Sequence, residues 1–310
     1  MTHPTTAHIV AWPNWRPAAV AALRAMLAEI EGLAITGGES SVRFSPGSVE
    51  FGRWLAGFSP SGVSVKRLMT LPDRLGLPEP WAETFRSQCQ RARQIYLSVE
   101  QTRAHVVAKV YWEHALAAVD QRHHAPAQRG VALHIESCKW RVDTPGTTPR
   151  STEYWRMSGL DGPGTVALLQ TAQDVDTALQ PVYRSVAQVL DSAMRMAPDW
   201  HGHRLLLVRE PGTARQGLGV RFYGSEWRID DLAPHLSSLW ESWDRTPQAW
   251  HQACAQVGPL ELGWLHAGMD AQSQPYLTMY AALDAVQTRS VLRRQAFTDA
   301  ATLTHLHESV

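Results

Sequence analysis

Apolar and polar residues alternate along this chain with two periods, one typical of helices and one typical of strands. An apolar face recurring about every 3.6 residues predicts helices, of which the alanine- and leucine-rich segment Pro17 to Glu31 is the first. One-by-one alternation predicts strands. The strands come in five pairs joined by turns: Ser48 to Trp54 with Gly62 to Met69, Ile95 to Glu100 with His105 to Glu113, Val131 to Arg141 with Thr152 to Met157, Arg204 to Arg209 with Leu218 to Tyr223, and Leu260 to Ala267 with Tyr276 to Ala282.

Further helical segments flank these pairs, and their order predicts the architecture. They are Trp81 to Gln94, His114 to Gln121, Thr165 to Met196 with a break at Pro181, Ile229 to Val257, and Ala285 to Glu308. Parallel α/β folds place a helix between consecutive strands, so they do not fit hairpins flanked by helices. Ten antiparallel strands with outer helices can close into a barrel, which removes exposed sheet edges. We therefore expect an α+β fold in which residues 1–310 form a single ten-stranded antiparallel β-barrel domain.

Composition narrows the classes of partner. The formal net charge is zero, with 29 basic and 29 acidic residues, so neither nucleic acid nor an anionic membrane is expected as the main partner. The three cysteines lie far apart and the first thirteen residues lack a signal-peptide pattern, so we expect a cytoplasmic protein. Thirteen tryptophans favour core packing, with some lining an aromatic cavity.

Polar side chains recur two positions apart on several predicted strands, where they share one face. These rows are Lys109 with Tyr111; Arg150, Thr152, Tyr154 and Arg156; Arg221 with Tyr223; and Tyr276, Thr278 and Tyr280, with Lys66 and Arg67 on an earlier strand. If the rows face the lumen, they bury several cations, which an anion such as a diphosphate would neutralise. Tyrosine faces could shield a carbocation. The alternative is that each row faces solvent, which is common for any one pair.

The ordered series of these motifs resembles the ABBA-type aromatic prenyltransferases, particularly the indole (dimethylallyltryptophan synthase) branch and the cyanobactin-type members. The hairpin from Ser48-Val49-Glu50-Phe51 to Lys66-Arg67 resembles that family's opening glutamate and arginine. Lys109-Val110-Tyr111 is similar to its Lys-x-Tyr strand, and Tyr276 and Tyr280 to its final tyrosine pair. Arg150-Ser151-Thr152-Glu153-Tyr154 is similar to its Arg-x-Lys-x-Tyr strand, except that threonine stands where lysine is usual.

The resemblance implies transfer of an isoprenyl group from dimethylallyl or geranyl diphosphate to an indole, through an allylic cation. The acceptor would be tryptophan, a tryptophan peptide or an indole alkaloid, and Glu50 would hold the indole N–H. The implied diphosphate ligands are Lys66, Arg67, Lys109, Arg150 and Arg221. The implied cation shield, which also contacts diphosphate, is Tyr111, Tyr154, Tyr223, Tyr276 and Tyr280.

Metal is not expected to be essential. The chain lacks the Asp-Asp-x-x-Asp pattern by which other isoprenyl synthases hold diphosphate through Mg²⁺, and this favours direct binding by cations. His123-His124 and His201-Gly202-His203 lack a third ligand at metal-site spacing. Two alternatives remain beside the indole enzyme. One is a prenyltransferase acting on a phenol or a phenazine, in which Glu50 would not be essential. The other is a non-catalytic barrel that binds a hydrophobic ligand or a partner protein.

Overall fold

Ten antiparallel strands follow one another around a closed barrel. The computed structural model describes residues 15–46, 48–60, 65–102, 104–115, 130–144, 146–173, 177–243, 250–251 and 257–297. The strands are β1 Ile35–Ser45, β2 Ser48–Phe58, β3 Gln94–Gln101, β4 Val106–Glu113, β5 Val131–Arg141, β6 Arg150–Met157, β7 Leu205–Arg209, β8 Gln216–Arg221, β9 Leu262–Met269 and β10 Pro275–Leu283.

Each strand pairs with the strands before and after it in sequence, and the first strand pairs with the last. In the β1–β10 register Gly38 lies opposite Leu283 and Phe44 lies opposite Leu277. This closure leaves no strand of the barrel with an unpaired edge. The expected ten-stranded antiparallel barrel is confirmed.

Helices cover the outside of the barrel. They are α1 Pro17–Ile30, α2 Val65–Leu68, α3 Leu71–Arg74, α4 Trp81–Cys89, α5 Gly162–Gln173, α6 Gln180–Met196, α7 Ala233–Ser242 and α8 Ala285–Phe297. Buried positions on α6, such as Val182, Val186 and Val189, recur at helical spacing, so one face of this helix packs on the sheet. None of the helices formed by the described residues is long and apolar enough to cross a bilayer.

Strand alternation separates an apolar outer layer from a polar lumen. On β4, Ala108 and Val110 belong to the core cluster that also contains Leu23 of α1. The side chains between and after them, Lys109 and Tyr111, take the opposite face and point into the barrel. The hydrophobic core therefore lies mainly between the sheet and the helices, and the lumen is left for polar chemistry.

The first hairpin differs from the sequence prediction. Its strands are Ile35–Ser45 and Ser48–Phe58, so the predicted strand at Gly62 to Met69 is wrong, and Val65–Leu68 is a short helix. The strand β1 was missed because its run Thr36-Gly37-Gly38-Glu39-Ser40-Ser41 carries almost no apolar signal. Residues 116–121 of the predicted helix from His114 lie outside the described residues.

Leu23 tests the contribution of the outer apolar layer. It is fully buried between α1 and the sheet, so Leu23→Ala should lower the free energy of unfolding by about 2–5 kcal/mol through lost burial and a residual cavity. Val286→Ala on α8, where the side chain is 77% exposed, should change it by less than about 0.5 kcal/mol. Urea denaturation of both variants measures the difference, and equal effects would contradict this packing.

Candidate active site

Successive inward positions on one strand contribute to three layers of the lumen. On β4, Lys109 belongs to a group of mostly buried cations, Tyr111 to a set of aromatic rings, and Glu113 to the wall of a cavity. Inward side chains lie two residues apart, so the layers are stacked along the barrel axis. The order of the layers is therefore set by the pleat of the strands.

The first layer, here named the cation cluster, consists of six residues from six strands or their ends: Arg43, Arg53, Lys109, Lys139, Arg150 and Arg215. Two buried carboxylates hold most of the cluster together. Glu100 accepts from Lys109 and from Arg53 Nη2, the latter at 2.6 Å.

The second carboxylate, Glu210, serves the other half of the cluster. It accepts from Lys139 and from Arg150 Nη1 at 3.3 Å, and Arg215 Nη1 lies 3.9 Å from its Oε2. Burial raises the pKa of an isolated carboxyl group, but the neighbouring cations hold the pKa of Glu210 below its usual value. Both carboxylates of the cluster are thus kept ionised by the cations around them.

Positive charge exceeds negative charge in the cluster. Beyond Glu100 and Glu210, the nearest acids are at its edge: Asp270 lies 3.2 Å from Arg43 Nη2, and Glu50 attracts Arg43. Six cations therefore face four carboxylates among the described residues.

Burial, and after it the neighbouring positive charges, lower the pKa values of the cluster's lysines. Burial lowers the pKa of Lys109 well below its usual value, and the charges of the nearby arginines act in the same direction. The carboxylate of Glu100 opposes this shift. Burial and Arg215 lower the pKa of Lys139 to about 8. A bound anion would relieve this repulsion.

The second layer, here named the aromatic collar, separates the cation cluster from the cavity. Its rings are Tyr111, Tyr154, His266 and Tyr280, with successive centroids 5.9, 6.3 and 5.0 Å apart. Burial raises the pKa of each of the three tyrosines, and burial together with Arg215 and Arg53 lowers the pKa of His266 to about 3. The collar is therefore uncharged at neutral pH.

Gly219 makes room for one ring of the collar. A Cβ atom at this position of β8 would lie 2.5 Å from Nε2 of His266, which is closer than any ordinary contact. Any larger residue here would force the imidazole to move from its position across the β8–β9 pair.

Tyr276 lies with the cation cluster, not with the collar. The guanidinium carbon of Arg43 stands 4.1 Å from the centroid of its ring. The Tyr276 hydroxyl is buried and has no hydrogen-bond partner among the described atoms. A buried hydroxyl beside a cationic group is available to an anion that enters the cluster.

The third layer is a cavity of about 310 Å³ on the other side of the collar. Two tyrosine–carboxylate pairs line it. Tyr223 donates to Glu39, and Tyr96 donates to Glu113 at 2.8 Å. Burial raises the pKa of Glu39 to about 7, although Tyr223 and the charge of Arg221 act in the opposite direction. Glu39 can therefore be protonated or ionised near neutral pH.

The structure brings together most of the residues that the motifs predicted. Lys109 and Arg150 lie in the cation cluster. Tyr111, Tyr154 and Tyr280 form the collar, and Tyr276 contacts Arg43. Their predicted inward orientation follows from the alternation of the strands that carry them.

Tyr223 and Arg221 lie at the far end of the lumen. Both line the cavity beyond the collar, where Arg221 Nη1 donates to the carbonyl of Gly202 at 2.9 Å. Arg221 therefore does not lie with Lys109 and Arg150, the other predicted diphosphate ligands whose side chains point into the lumen. It was placed by its Arg-x-Tyr spacing, which fixes a face of the strand but not a depth in the barrel.

Glu50, Lys66 and Arg67 were predicted from the misplaced hairpin. Arg67 is exposed on α2 and donates to the carbonyls of Glu31 and Ala28, at 2.7 and 3.1 Å, so it lies outside the barrel. The side chain of Lys66 lies outside the described residues.

Glu50 is on β2 opposite Arg43, at the edge of the cation cluster. It is not among the residues that line the cavity in the described part of the lumen. The β1–β2 register shifts beyond this pair, where Gly52 adopts a φ of +84°. Glu50 therefore lies at the depth of the cation cluster and not at that of the cavity.

Sequence reasoning missed Glu39, Arg43, Arg53, Lys139 and Arg215. The first three lie on the misplaced first hairpin. Lys139 lies directly opposite Arg150 in the β5–β6 register, and Thr152, which stands where the family has lysine, lies opposite Ser137. The cation Lys139 is therefore supplied by β5, next to the strand that carries the motif. A motif read along one strand does not include residues of its neighbour.

Comparisons with known proteins identify the fold. No protein-family model and no curated protein matches the chain. NotF prenyltransferase superposes with a TM-score of 0.50 over 80% of this chain and 81% of that chain, at 13% identity. This chain has the barrel fold of a prenyltransferase.

Two further solved structures have a similar barrel. One is 5-dimethylallyl tryptophan synthase from Streptomyces coelicolor in complex with DMASPP and Trp, with a TM-score of 0.49, 15% identity and coverage of 85% of this chain and 92% of that chain. The other is AnaPT from Neosartorya fischeri, with a TM-score of 0.49, 12% identity and coverage of 81% and 79%.

The ionisation of Glu39 predicts a pH-dependent stability. Its pKa is raised from 4.5 to about 7 in the folded chain. At pH values between these two, the folded state therefore keeps a proton that the unfolded state has released. Stability is therefore lost as pH rises through this window. Glu39→Gln removes the ionisation and should gain about 1–3 kcal/mol relative to the parent chain at pH 8, but not at pH 4.5.

Urea denaturation at pH 4.5, 6, 7 and 8 measures this difference. Glu83→Gln, at an exposed position of α4, controls for the loss of one negative charge. A pH-independent difference between Glu39→Gln and the parent chain would show that Glu39 is not held in an ionisation-opposing site.

Proposed function

We propose that this protein is an aromatic prenyltransferase that moves an isoprenyl group from an allylic diphosphate to an indole-type acceptor. One observation carries the proposal: a cation cluster with excess positive charge is separated from a cavity by an uncharged aromatic collar. An allylic diphosphate has the matching order of parts, a polyanion joined to a carbon that becomes cationic and must be kept from water.

The diphosphate would bind directly to the cation cluster. Arg53 and Arg215 offer forked donors, and Lys109 and Lys139 offer ammonium groups; in each arginine the buried Nε has no hydrogen-bond partner among the described atoms. Tyr276 would add its hydroxyl. Binding of a polyanion here would replace the repulsion among buried cations with attraction, and the chain's own cations would take the role that Mg²⁺ has in other isoprenyl synthases.

Ionisation would then occur at the level of the collar. The C–O bond breaks, the diphosphate leaves with the electron pair, and the cation cluster stabilises the negative charge that develops on it. The allylic cation that remains faces Tyr111, Tyr154 and Tyr280, whose ring faces attract it by about 1–2 kcal/mol each. Since the collar is uncharged, it offers no anionic nucleophile to capture the cation.

The acceptor would occupy the cavity beyond the collar. The Glu39 carboxylate, positioned by the Tyr223 hydroxyl, would accept the indole N–H and so raise the electron density of the ring. A ring carbon attacks the allylic cation, a C–C bond forms, and the proton on that carbon passes to the released diphosphate, which restores aromaticity. We assign the acceptor-holding role to Glu39 because Glu39 lines the cavity, whereas Glu50 lies beside Arg43.

The other readings predict different behaviour of the same site. A phenol or phenazine acceptor would use the same cluster and collar but would not need Glu39 as an N–H acceptor. A non-catalytic barrel that binds a hydrophobic ligand is disfavoured because the lumen buries Lys109 and Arg53, each 5% exposed. A purely apolar ligand could not neutralise these buried charges.

The direct test is an incubation with dimethylallyl or geranyl diphosphate and a panel of indoles, with EDTA present, analysed by mass spectrometry. We expect a product heavier than the acceptor by one isoprenoid unit. Glu39→Gln should lower the rate at least about tenfold, while Glu50→Gln, the matched control, should change it by less than about threefold. Products with phenols alone would move the assignment to the second acceptor class, and absence of any product would reject the transferase.

Arg53 tests the diphosphate site. Arg53→Gln leaves Glu100 paired with Lys109 and removes one cation, so kcat/KM for the diphosphate should fall about 10²–10³-fold. Arg67→Gln, at the exposed arginine that the motif had suggested, is the control and should retain activity within about twofold.

Arg53→Lys keeps the charge and should recover part of the loss. Circular dichroism of each variant would establish that the barrel remains folded. A larger effect at Arg67 than at Arg53 would contradict the placement of the diphosphate.

A further inference from the structure

Tyr223 reaches Glu39 across the width of two strands. Tyr223 follows the end of β8 and Glu39 lies on β1, with β9 and β10 between them in the barrel. The two side chains together span this distance, and the Tyr223 hydroxyl donates to the Glu39 carboxylate. A hydrogen bond between side chains of such distant strands keeps one geometry only if the phenol itself is held in place.

Gly263 of β9 holds the ring end of Tyr223. If Gly263 carried a Cβ atom, this atom would lie 2.9 Å from both the Cζ atom and the hydroxyl oxygen of Tyr223, which is closer than any ordinary contact. The Phe222 amide also donates to the Gly263 carbonyl at 2.8 Å. The part of the ring that carries the hydroxyl therefore rests on the backbone of β9, and a side chain at Gly263 would push it away from Glu39.

Trp200 holds the backbone end of Tyr223. Its indole Nε1 donates to the Tyr223 carbonyl at 3.1 Å, and its ring stacks on the buried ring of Phe222 with centroids 5.7 Å apart. The Ser225 amide donates to the Phe222 carbonyl at 2.9 Å and closes a turn in which Gly224 has a φ of +75°, a value that favours glycine. The ring and the carbonyl of Tyr223 are therefore both held in place.

Gly202 keeps Trp200 within reach of that carbonyl. A Cβ atom at Gly202 would lie 2.7 Å from Trp200 Nε1 and 3.0 Å from the Tyr223 carbonyl oxygen, so a side chain would separate the donor from its acceptor. Arg221 joins the same two segments, since its Nη1 donates to the Gly202 carbonyl at 2.9 Å and its guanidinium carbon lies 4.9 Å from the centroid of the Tyr223 ring. The segment before β7 and the turn after β8 therefore form one hydrogen-bonded unit.

We propose that Trp200 and Gly263 are positioning residues: they fix the hydroxyl of Tyr223, and through it the orientation in which the acceptor ring is held. The inference rests on the proposed function, in which Glu39 accepts the indole N–H. Neither Trp200 nor Gly263 is among the described residues that line the cavity. Both therefore act through Tyr223 and not by contact with the acceptor.

A carboxylate held in one direction offers the indole N–H one line of approach. The acceptor ring then presents the same carbon to the allylic cation in every turnover. If the phenol were free to move, the carboxylate could turn with it, and other carbons of the ring would come within reach of the cation. A displacement of about 1 Å in such a site can lower the rate by about 100-fold. Loss of either positioning contact should therefore lower the rate and yield more than one regioisomer.

The ionisation of Glu39 reports on the same hydrogen bond without any turnover. Burial raises the pKa of Glu39 to about 7, and the hydrogen bond from Tyr223 opposes this rise because it stabilises the carboxylate. Release of the hydroxyl should therefore raise the pKa further. The other groups that act electrostatically on Glu39 are Arg221, Tyr96 and Tyr280, and every variant used below retains them.

Three variants separate this positioning role from a general loss of packing. Trp200→Phe keeps a ring against Phe222 and removes the N–H donor. Trp227→Phe is the matched control, because Trp227 is 4% exposed and its Nε1 has no hydrogen-bond partner among the described atoms. Gly263→Ala adds one methyl group against the phenol. Circular dichroism of each variant would establish that the barrel remains folded.

The first measurement is an NMR titration of isotope-labelled glutamate carboxyl groups, in which the Glu39 signal is assigned by its loss in Glu39→Gln. In Trp200→Phe and in Gly263→Ala, this signal should titrate at least about half a pH unit higher than in the parent chain. In Trp227→Phe its titration should be unchanged. Tyr223→Phe should give the same rise, and adding Gly263→Ala to it should give no more.

An unchanged titration of Glu39 in either Trp200→Phe or Gly263→Ala would overturn the inference. A further rise when Gly263→Ala is added to Tyr223→Phe would also overturn it, since the glycine would then act by another route than the hydroxyl.

Prenyl transfer supplies the second readout. In Trp200→Phe and Gly263→Ala, kcat for an indole acceptor should fall about tenfold or more with a smaller change in KM, and additional regioisomers should appear. Trp227→Phe should keep the parent's product. An unchanged product in both positioning variants would overturn the role in orientation. If the titrations shift as expected but even the parent chain gives no product, the proposed function fails while the positioning of Glu39 by Trp200 and Gly263 stands.

Discussion

Repulsion among buried cations is the constraint on which the site depends. Among the described residues, two enclosed carboxylates, Glu100 and Glu210, hold Arg53, Lys109, Lys139 and Arg215 within the lumen. Paired charges can be buried only when hydrogen bonds and counter-charges replace water. The carboxylates keep the cluster assembled, while the remaining positive charge keeps it receptive to an anion. Equal numbers of cations and carboxylates would have made a closed ion-pair network with no charge left to attract an anion.

Closure of the sheet is what allows such a cluster to exist in a stable protein. The apolar side of each strand faces the helices, so the hydrophobic core surrounds the barrel and does not fill it. The lumen side is then free to carry charge without interrupting the core. A filled, apolar lumen would have gained burial energy but left no cavity.

The same pleat that separates core from lumen also sorts the chemistry by depth. Lys109, Tyr111 and Glu113 are consecutive inward residues of one strand, and they reach the cation cluster, the collar and the cavity in turn. The order of these three residues along the strand therefore places the aromatic rings between two polar regions. This arrangement is why a donor polyanion and an acceptor can be held apart until the carbon between them reacts.

Strand and helix periods are local properties of the chain, so the sequence predicts the number of hairpins, the outer helices and the inward rows on well-patterned strands. Lys109, Arg150, Tyr111, Tyr154 and Tyr280 were found in this way. The depth of a side chain in the barrel and its neighbours on other strands depend on the tertiary structure. Glu39 lies on a strand segment rich in glycine and serine, which gives no apolar signal. Lys139 joins the cation cluster because it lies opposite Arg150 on the neighbouring strand. Arg221 has the expected Arg-x-Tyr spacing but lies at the cavity end of the barrel. Spacing fixes which face a side chain takes, whereas register and barrel closure fix which charges meet across it.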